Sequence, residues 1–507
     1  MLKKIIGIFI FIAVIIIFIA MLRILSVKDF SDNRFQVEVK EHILDNGLKI
    51  LVIEDSEVPV VACRINYNVG AINENAGMTG ASHFLEHMMF KGTAIFGVKD
   101  GRFKEESGLF KEEEDLINGI KGTDNNYGLE ILTENLKQVR KKLQNLKILN
   151  DLDDIVRKNG GINYNAFTDY DQTCYMCIFP SNKLELWFLV ESDRMKNLAL
   201  RDFYTEIEVV LEERRMRVEN SPSGQISFGL LGQVLSGTPY GRPEWIIGSV
   251  KDIAGFRRDK ITEYYKTYYA PNNAVIVLAG GVDNKKVVEF AKKYFGNIPR
   301  SDIGSINSSL FSAPIQNKEN RAIIEYPASG AAAIGYKTVP ASHPDAVVLN
   351  FISELLSGGK TSLLYETLVK TRIASEIKIY SFGYKYAGMM EISFRPNDNH
   401  NIEEIENIVY QELEILRNGL ISDKEMSRTK KQIKADFVRK LGSLNSLVGD
   451  IVDYESIVGD WRKINDFILA IEKITKEDIT RVANAYFVVW NKSIVIMRDS
   501  RKGAKNE

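Results

Sequence analysis

Apolar and polar residues alternate at Phe35, Val37 and Val39, and again from Ile43 to Ile53, the two-residue period of half-buried strands. The cluster Asp45-Asn46-Gly47 between them is a hairpin signal. A third strand is expected over Val60–Tyr67, and the Gly-containing loop 68–80 leads from it into a helix. From about residue 97 to 160 the pattern changes to dense charge with Leu129, Leu132, Leu136, Val139, Leu143 and Leu146 at spacings of three and four. That is an amphipathic, coiled-coil-like helix, and a shorter helix at about 105–120 is expected to pack on it as a hairpin arm. Strand signals return within 161–180, followed by helices at about 183–198 and 202–218. A helix at about 258–269, a strand over 274–279 and a helix at about 284–295 come before a polar linker at about 299–317.

The linker separates two related stretches. Ile261-Thr262, Tyr268-Tyr269, Asn273 and Ile276-Val277 are matched by Ile479-Thr480, Tyr486-Phe487, Asn491 and Ile494-Val495 at a constant offset of 218. The stretch from 350 likewise matches the stretch from 83 at an offset of 267, and the difference of 49 is about the length of the charged arm. The arm is therefore an insertion in the first copy of a duplicated unit. The expected division is 1–34 as a leading segment, 35–298 as the first half, 299–317 as the linker and 318–507 as the second half.

Composition narrows the picture. The 507 residues carry 66 Lys plus Arg against 67 Asp plus Glu, a net charge of -1 that gives no footing for nucleic acid. Three Cys make no disulfide framework. Cys174 and Cys177 fall in an apparent strand, where a spacing of three turns them to opposite faces, so they read as small strand residues. Lys3 and Lys4 precede an uncharged run over 5–22 that ends at Arg23. Eighteen helical residues span about 27 Å, close to the hydrocarbon core of a bilayer. The run is long for a signal peptide and has no small-x-small cleavage site, which favours an uncleaved signal anchor. The expectation is an exported chain, membrane-anchored and facing the extracytoplasmic (periplasmic) side, with a soluble secreted or periplasmic form after cleavage as the alternative.

The candidate chemistry sits in the first helix, as His83-Phe84-Leu85-Glu86-His87. Positions i and i+4 share a helix face, the spacing that lets two imidazoles hold one metal ion, and Glu86 stands at the edge of that face. The order H-x-x-E-H is a recorded zinc-peptidase signature. On the helix at 202–218, Glu206, Glu208, Glu212 and Glu213 form an acidic run, ordinarily a solvated face. Glu206 and Glu213, seven apart, share one side of it to within about 20°. In the second copy Asn350, Ser353 and Glu354 replace His83, Glu86 and His87, so that copy cannot hold a metal in the same way. Gly359-Lys360-Thr361 is no phosphate loop, because the first Gly of that motif would fall at Glu354.

Over about 35–500 the chain resembles the insulinase/pitrilysin-type zinc metallopeptidases, the family that includes mitochondrial processing peptidase. The resemblance rests on FLEHMMFKGT with the H-x-x-E-H residues, the strand Asn165-Ala166-Phe167-Thr168 and the run 206–215. It implies an α+β fold of two homologous α/β-sandwich-like halves forming a clamshell: a catalytic zinc-binding half at 35–298, an inactive half at 318–507. It implies one Zn2+ per chain, held by His83, His87 and a later Glu. His87 and Glu213 have 125 residues between them, and without the 49-residue excess 76 remain, the family's spacing. Glu213 therefore matches the third ligand, with Glu212 as the fallback, and Glu206 matches the family's supporting Glu. Glu86 matches the general base, and Asn165 and Ala166 match the edge strand that takes an extended substrate. The family's substrate-steadying Arg and Tyr have candidates in Arg395, Tyr384 and Tyr386. The implied function is a zinc-dependent endopeptidase acting on peptides or unfolded proteins, as a homodimer or paired with an inactive homologue. The alternative is a non-catalytic scaffold or processing-peptidase subunit, although such relatives have typically lost H-x-x-E-H residues that this chain keeps.

Overall fold

The computed structural model describes residues 36–503 apart from 243, 245, 313 and 315. The expected anchor at 5–22 lies outside these residues, and among them no helix is long and apolar enough to cross a membrane.

Among the described residues eleven strands form two sheets. The first holds β1 (Lys40–Ile43), β2 (Lys49–Glu54), β3 (Val60–Tyr67), β4 (Ile162–Thr168), β5 (Thr173–Pro180) and β6 (Ala274–Gly280), in the order β1-β2-β6-β3-β5-β4. The second holds β7 (Asn320–Tyr326), β8 (Ala331–Thr338), β9 (Ala374–Gly383), β10 (Gly388–Pro396) and β11 (Lys492–Asp499), in the order β7-β11-β8-β10-β9. Without β1 the first order has the same topology as the second. β2 runs parallel to β6 as β7 does to β11, and the other pairs are antiparallel. The offset of 218 reappears in the elements: the helix Arg258–Tyr268 corresponds to Lys476–Tyr486, and β6 to β11. The Asp45-Asn46 hairpin joins β1 to β2 as expected. The first strand begins only at Lys40, short of the alternation that starts at Phe35, because alternation reports one buried face and not a partner strand.

Seven helices matter to the site: α1 (Ala81–Met88), α2 (Phe103–Lys121), α3 (Asn126–Leu146), α4 (Phe203–Arg214), α5 (Pro222–Val234), α6 (Asp345–Ser357) and α7 (Leu444–Asp453). The arm is α2 and α3, packed through Leu109, Val139 and Leu146. Arg201 holds it to the body through a buried ion pair with Glu106, at 2.7 Å, and Arg258 through Glu113 at 2.9 Å. α6 is the second-half image of α1.

Each sheet is covered on one side by its own half and on the other by a helix from the opposite half. In β8, Ala332, Ile334 and Tyr336 join the second half's own core, while Ala331 and Ala333 turn to Leu230, Leu231 and Val234 of α5. A Cβ on Gly335 would stand 2.6 Å from Val234 and 3.0 Å from Leu230, so the bare backbone there is what lets α5 lie close. Reciprocally, Val61, Cys63 and Ile65 of β3 enter the first core, while Arg64 and Asn66 reach across to α7 and the turn after it. Arg64 donates to the Asn445 carbonyl at 3.0 Å, and Asn66 to Ser456 at 2.9 Å. Cys63, Cys174 and Cys177 are buried free thiols. Helix α5 was not anticipated: Gly224, Gly229 and Gly232 break its helical periodicity, leaving only the Ser221-Pro222 start signal.

Candidate functional site

Helix α1 starts from Gly80 in the left-handed region (φ 87°), where a Cβ would meet the Ile247 carbonyl oxygen at 2.1 Å. Glu74 folds back to accept hydrogen bonds from the backbone N–H of Gly80 (2.6 Å) and of Ser82 (2.8 Å). It thus satisfies two of the helix's unpaired donors and fixes the start of the turn that carries the histidines. Burial raises the Glu74 pKa to about 8 against those hydrogen bonds. One side of the helix is seated by Phe84, fully buried against Phe203 and Phe256 at ring separations of 5.0 and 5.2 Å.

The other side carries His83, Glu86 and His87 into a cavity of about 1400 Å³, lined by both halves. α4 brings Glu206 and Glu213 opposite. His83 Nε2 lies 3.6 Å and His87 Nε2 3.1 Å from the same Glu213 oxygen. Among the described residues this is the one group of three whose ligand atoms converge, all within 4.8 Å of one another. Ligands about 2.1 Å from one tetrahedral ion lie ~3.4 Å apart, so the donor set and its spacing fit zinc. His87 Nδ1 donates to Glu206 at 2.8 Å, which leaves Nε2 directed at Glu213, and Lys91 holds the other Glu206 oxygen at 2.6 Å. Arg217, one turn beyond Glu213, pairs with its second oxygen at 2.9 Å. Glu212 is exposed and pairs with Arg215.

Burial pulls the His83 pKa down to about 4, with the nearby His87 acting the same way, so His83 is neutral at ordinary pH. Burial opposes charge on His87 too, but hydrogen bonds to Glu206 and Glu213 outweigh it and raise the pKa to about 9. The hydrogen bond from His87 and the charges around it hold Glu213 down at about 2 despite partial burial. A metal ligand must be deprotonated, so binding must displace the His87 proton at any pH below about 9. Zinc affinity of the ion-free chain is therefore expected to rise with pH, ~tenfold per unit over the neutral range, with about one proton released per ion. Competition with a chelating indicator from pH 6 to 8 measures the slope; a flat profile contradicts it.

Glu86 stands beside this group, nearly buried, and accepts a hydrogen bond from Thr168 Oγ1 at 2.7 Å. Burial raises its pKa, opposed by that hydrogen bond and the charge on His87. Asn165 and Ala166 line the cavity on β4, the outermost strand of its sheet. Of the second-half candidates, Tyr384 lines the cavity, Tyr386 stacks on Phe311 outside it, and Arg395 donates to the Ser329 carbonyl. Sequence reasoning passed over Glu74, Lys91, Thr168 and Arg217. Lys91 follows His87, and Arg217 follows Glu213, by one turn, a signal that was available. Glu74 lies in an irregular loop, and nothing in its neighbours marks it.

Residues 49–99 match the insulinase (peptidase family M16) profile, and residues 255–433 match that of the M16 peptidase inactive domain. The zinc protease PqqE of Helicobacter pylori is 28% identical over 462 residues, which cover 90% of this chain and 91% of that protein. The mitochondrial-processing peptidase subunit beta of Saccharomyces cerevisiae is 24% identical over 458 residues, 87% of each chain. The crystal structure of a protease from Helicobacter pylori superposes with a TM-score of 0.76 at 27% identity, covering 91% of this chain and all of that one.

Proposed function

This chain belongs to the insulinase (M16) family of peptidases, and from that premise we propose that it is a zinc-dependent endopeptidase acting on extended peptides or unfolded proteins. The observation that carries the reading is the convergence of His83 Nε2, His87 Nε2 and Glu213 beside the nearly buried carboxylate of Glu86. His83, His87 and Glu213 would hold one zinc ion, which when bound supplies a Lewis acid that polarises the scissile carbonyl and acidifies a water molecule. Glu206 accepts the Nδ1 proton of His87 and so fixes the ring that presents Nε2. Glu86 is the general base: it takes the proton of the attacking water and returns it to the leaving amine nitrogen. Its raised pKa suits both transfers. Thr168 orients the carboxylate through one oxygen. Asn165 and Ala166 present the outer edge of β4 to a substrate backbone, which would add to the sheet as a further strand beside Glu86.

The division at 35–298, 299–317 and 318–507 completes the proposal, with the second half forming the facing wall of a clamshell. Its active unit is a homodimer or a pair with an inactive homologue, since a relative is named as a subunit of a processing peptidase. Peptide hydrolysis by the purified chain, abolished by a chelator and restored by zinc, is the expected result. Zinc bound without hydrolysis of any peptide favours the scaffold or subunit role instead.

The lysines at 3 and 4 and the apolar run over 5–22 support the reading of an exported chain held on a retained anchor. The mature chain is therefore expected to begin near Met1 and to fractionate with membranes. Terminal sequencing that finds a start between residues 20 and 35 in a soluble exported fraction favours the cleaved form.

A further inference from the structure

Strand β10 alternates. Met390, Ile392 and Phe394 enter the second half's own core, while Met389 and Glu391 point the other way and line the cavity that holds His83, His87 and Glu213. Glu391 is 7% exposed and has neither a hydrogen bond nor an ion pair among the described residues. The other acids of the cavity are engaged: Glu86 by Thr168, Asp171 by Tyr240 and Asp453 by Gln172. Asp169 accepts hydrogen bonds from the backbone N–H of Asp171 and of Gln172. Its lysine and arginine are engaged too, Lys91 by Glu206 and Arg217 by Glu213. Among the described acids of the cavity, Glu391 alone has no hydrogen-bond or ion-pair partner.

Its cross-strand neighbours are Gly335 on β8, which has no side chain, and Tyr380 on β9. Tyr380 and Phe382 share one face of β9 and Tyr384, just past its end, continues the row, with ring separations of 5.7 and 6.3 Å, and the last two rings are within 6° of parallel. All three line the cavity. A buried carboxylate without a counter-charge is costly, and burial accordingly raises the Glu391 pKa to about 7; a cation from outside offsets that cost. A bound metal does not fit, because no second or third ligand joins Glu391 among the described residues. An organic cation does: its charge meets the carboxylate while its aliphatic stem and charged head lie against aromatic faces.

We propose that Glu391, with the aromatic row Tyr380, Phe382 and Tyr384, forms a subsite for an arginine or lysine side chain of the substrate. This rests on the peptidase reading and names the substrate class for the same cavity. Glu391 acts as a specificity determinant, and the wall opposite the sheet edge thereby selects what β4 aligns.

The test is a set of quenched fluorescent peptides in which arginine is exchanged for uncharged citrulline at each position in turn. Hydrolysis by the zinc-loaded chain and anisotropy of binding to the Glu86→Gln chain are both read. At one position the arginine peptide is expected to be favoured by at least about tenfold, the scale of one charge-assisted hydrogen bond. Glu391→Gln should bring that ratio close to one, and Glu391→Lys should invert it in favour of glutamate at the same position. Both variants remove an unpaired buried carboxylate, and Glu391→Gln is expected to melt no lower than the parent chain. Hydrolysis without a charge preference at any position, or a preference that survives Glu391→Gln, overturns the subsite and leaves the peptidase reading standing. A binding preference lost in Glu391→Gln, with no peptide hydrolysed, supports the subsite and overturns the peptidase reading.

Discussion

Replacing Glu86 by Gln is expected to leave zinc bound and to cut peptide hydrolysis by at least ~10²-fold, the lower range for loss of a general base. Gln has the same shape and can still accept the hydrogen bond from Thr168, so the packing of α1 is kept. It cannot take a proton from water. His83, His87 and Glu213 are unaltered, so metal content separates a lost base from a lost site. Zinc analysis and rate are measured on the same sample. A metal-replete Glu86→Gln chain that still hydrolyses peptide removes Glu86 from the mechanism.

Glu213→Gln is expected to do more, weakening zinc binding and abolishing activity together, because an open catalytic site depends on all three protein ligands. The neighbouring Glu212→Gln should leave both within a few-fold, as surface substitutions usually do. Successive helical residues point about 100° apart, so at most one of the two acids can face the histidines squarely. The Glu213 carboxylate is 3.1 Å from His87 Nε2, while Glu212 is exposed and paired with Arg215. Zinc content and rate of the two variants decide between them. A greater loss at 212 would displace Glu213 from the ligand set.

Much of this was legible in the chain because it is local or repeated. The helix Ala81–Met88 follows from the i, i+4 histidines and the apolar residues around them. The approach of Glu213 to the histidines was legible only through the family resemblance, once comparing the two halves had measured the arm and left the family's spacing. What escaped was non-local. Glu74 acts through a loop that folds back on the helix start, and loops leave no period. The Met389-Met390-Glu391-Ile392 stretch reads as a buried strand, and only the second sheet's position shows that Glu391 looks into the cavity. Helix α5 was hidden by its glycines, one of which, Gly229, lies where an added Cβ would touch Val495 and Ile324.

The exchanged helices also set a schedule for the newly made chain. The face of the first sheet that turns away from its own core waits for α7, at 444–453, and α5 waits in turn for a sheet whose β11, between β7 and β8, spans 492–499. The packing between the two halves therefore cannot close before synthesis has passed residue 499. The ribosome must therefore reach the last strand of the second sheet before the pocket around His83 and His87 acquires its far wall. Until those segments arrive, the far face of the first sheet and the apolar side of α5 have no partner in the chain.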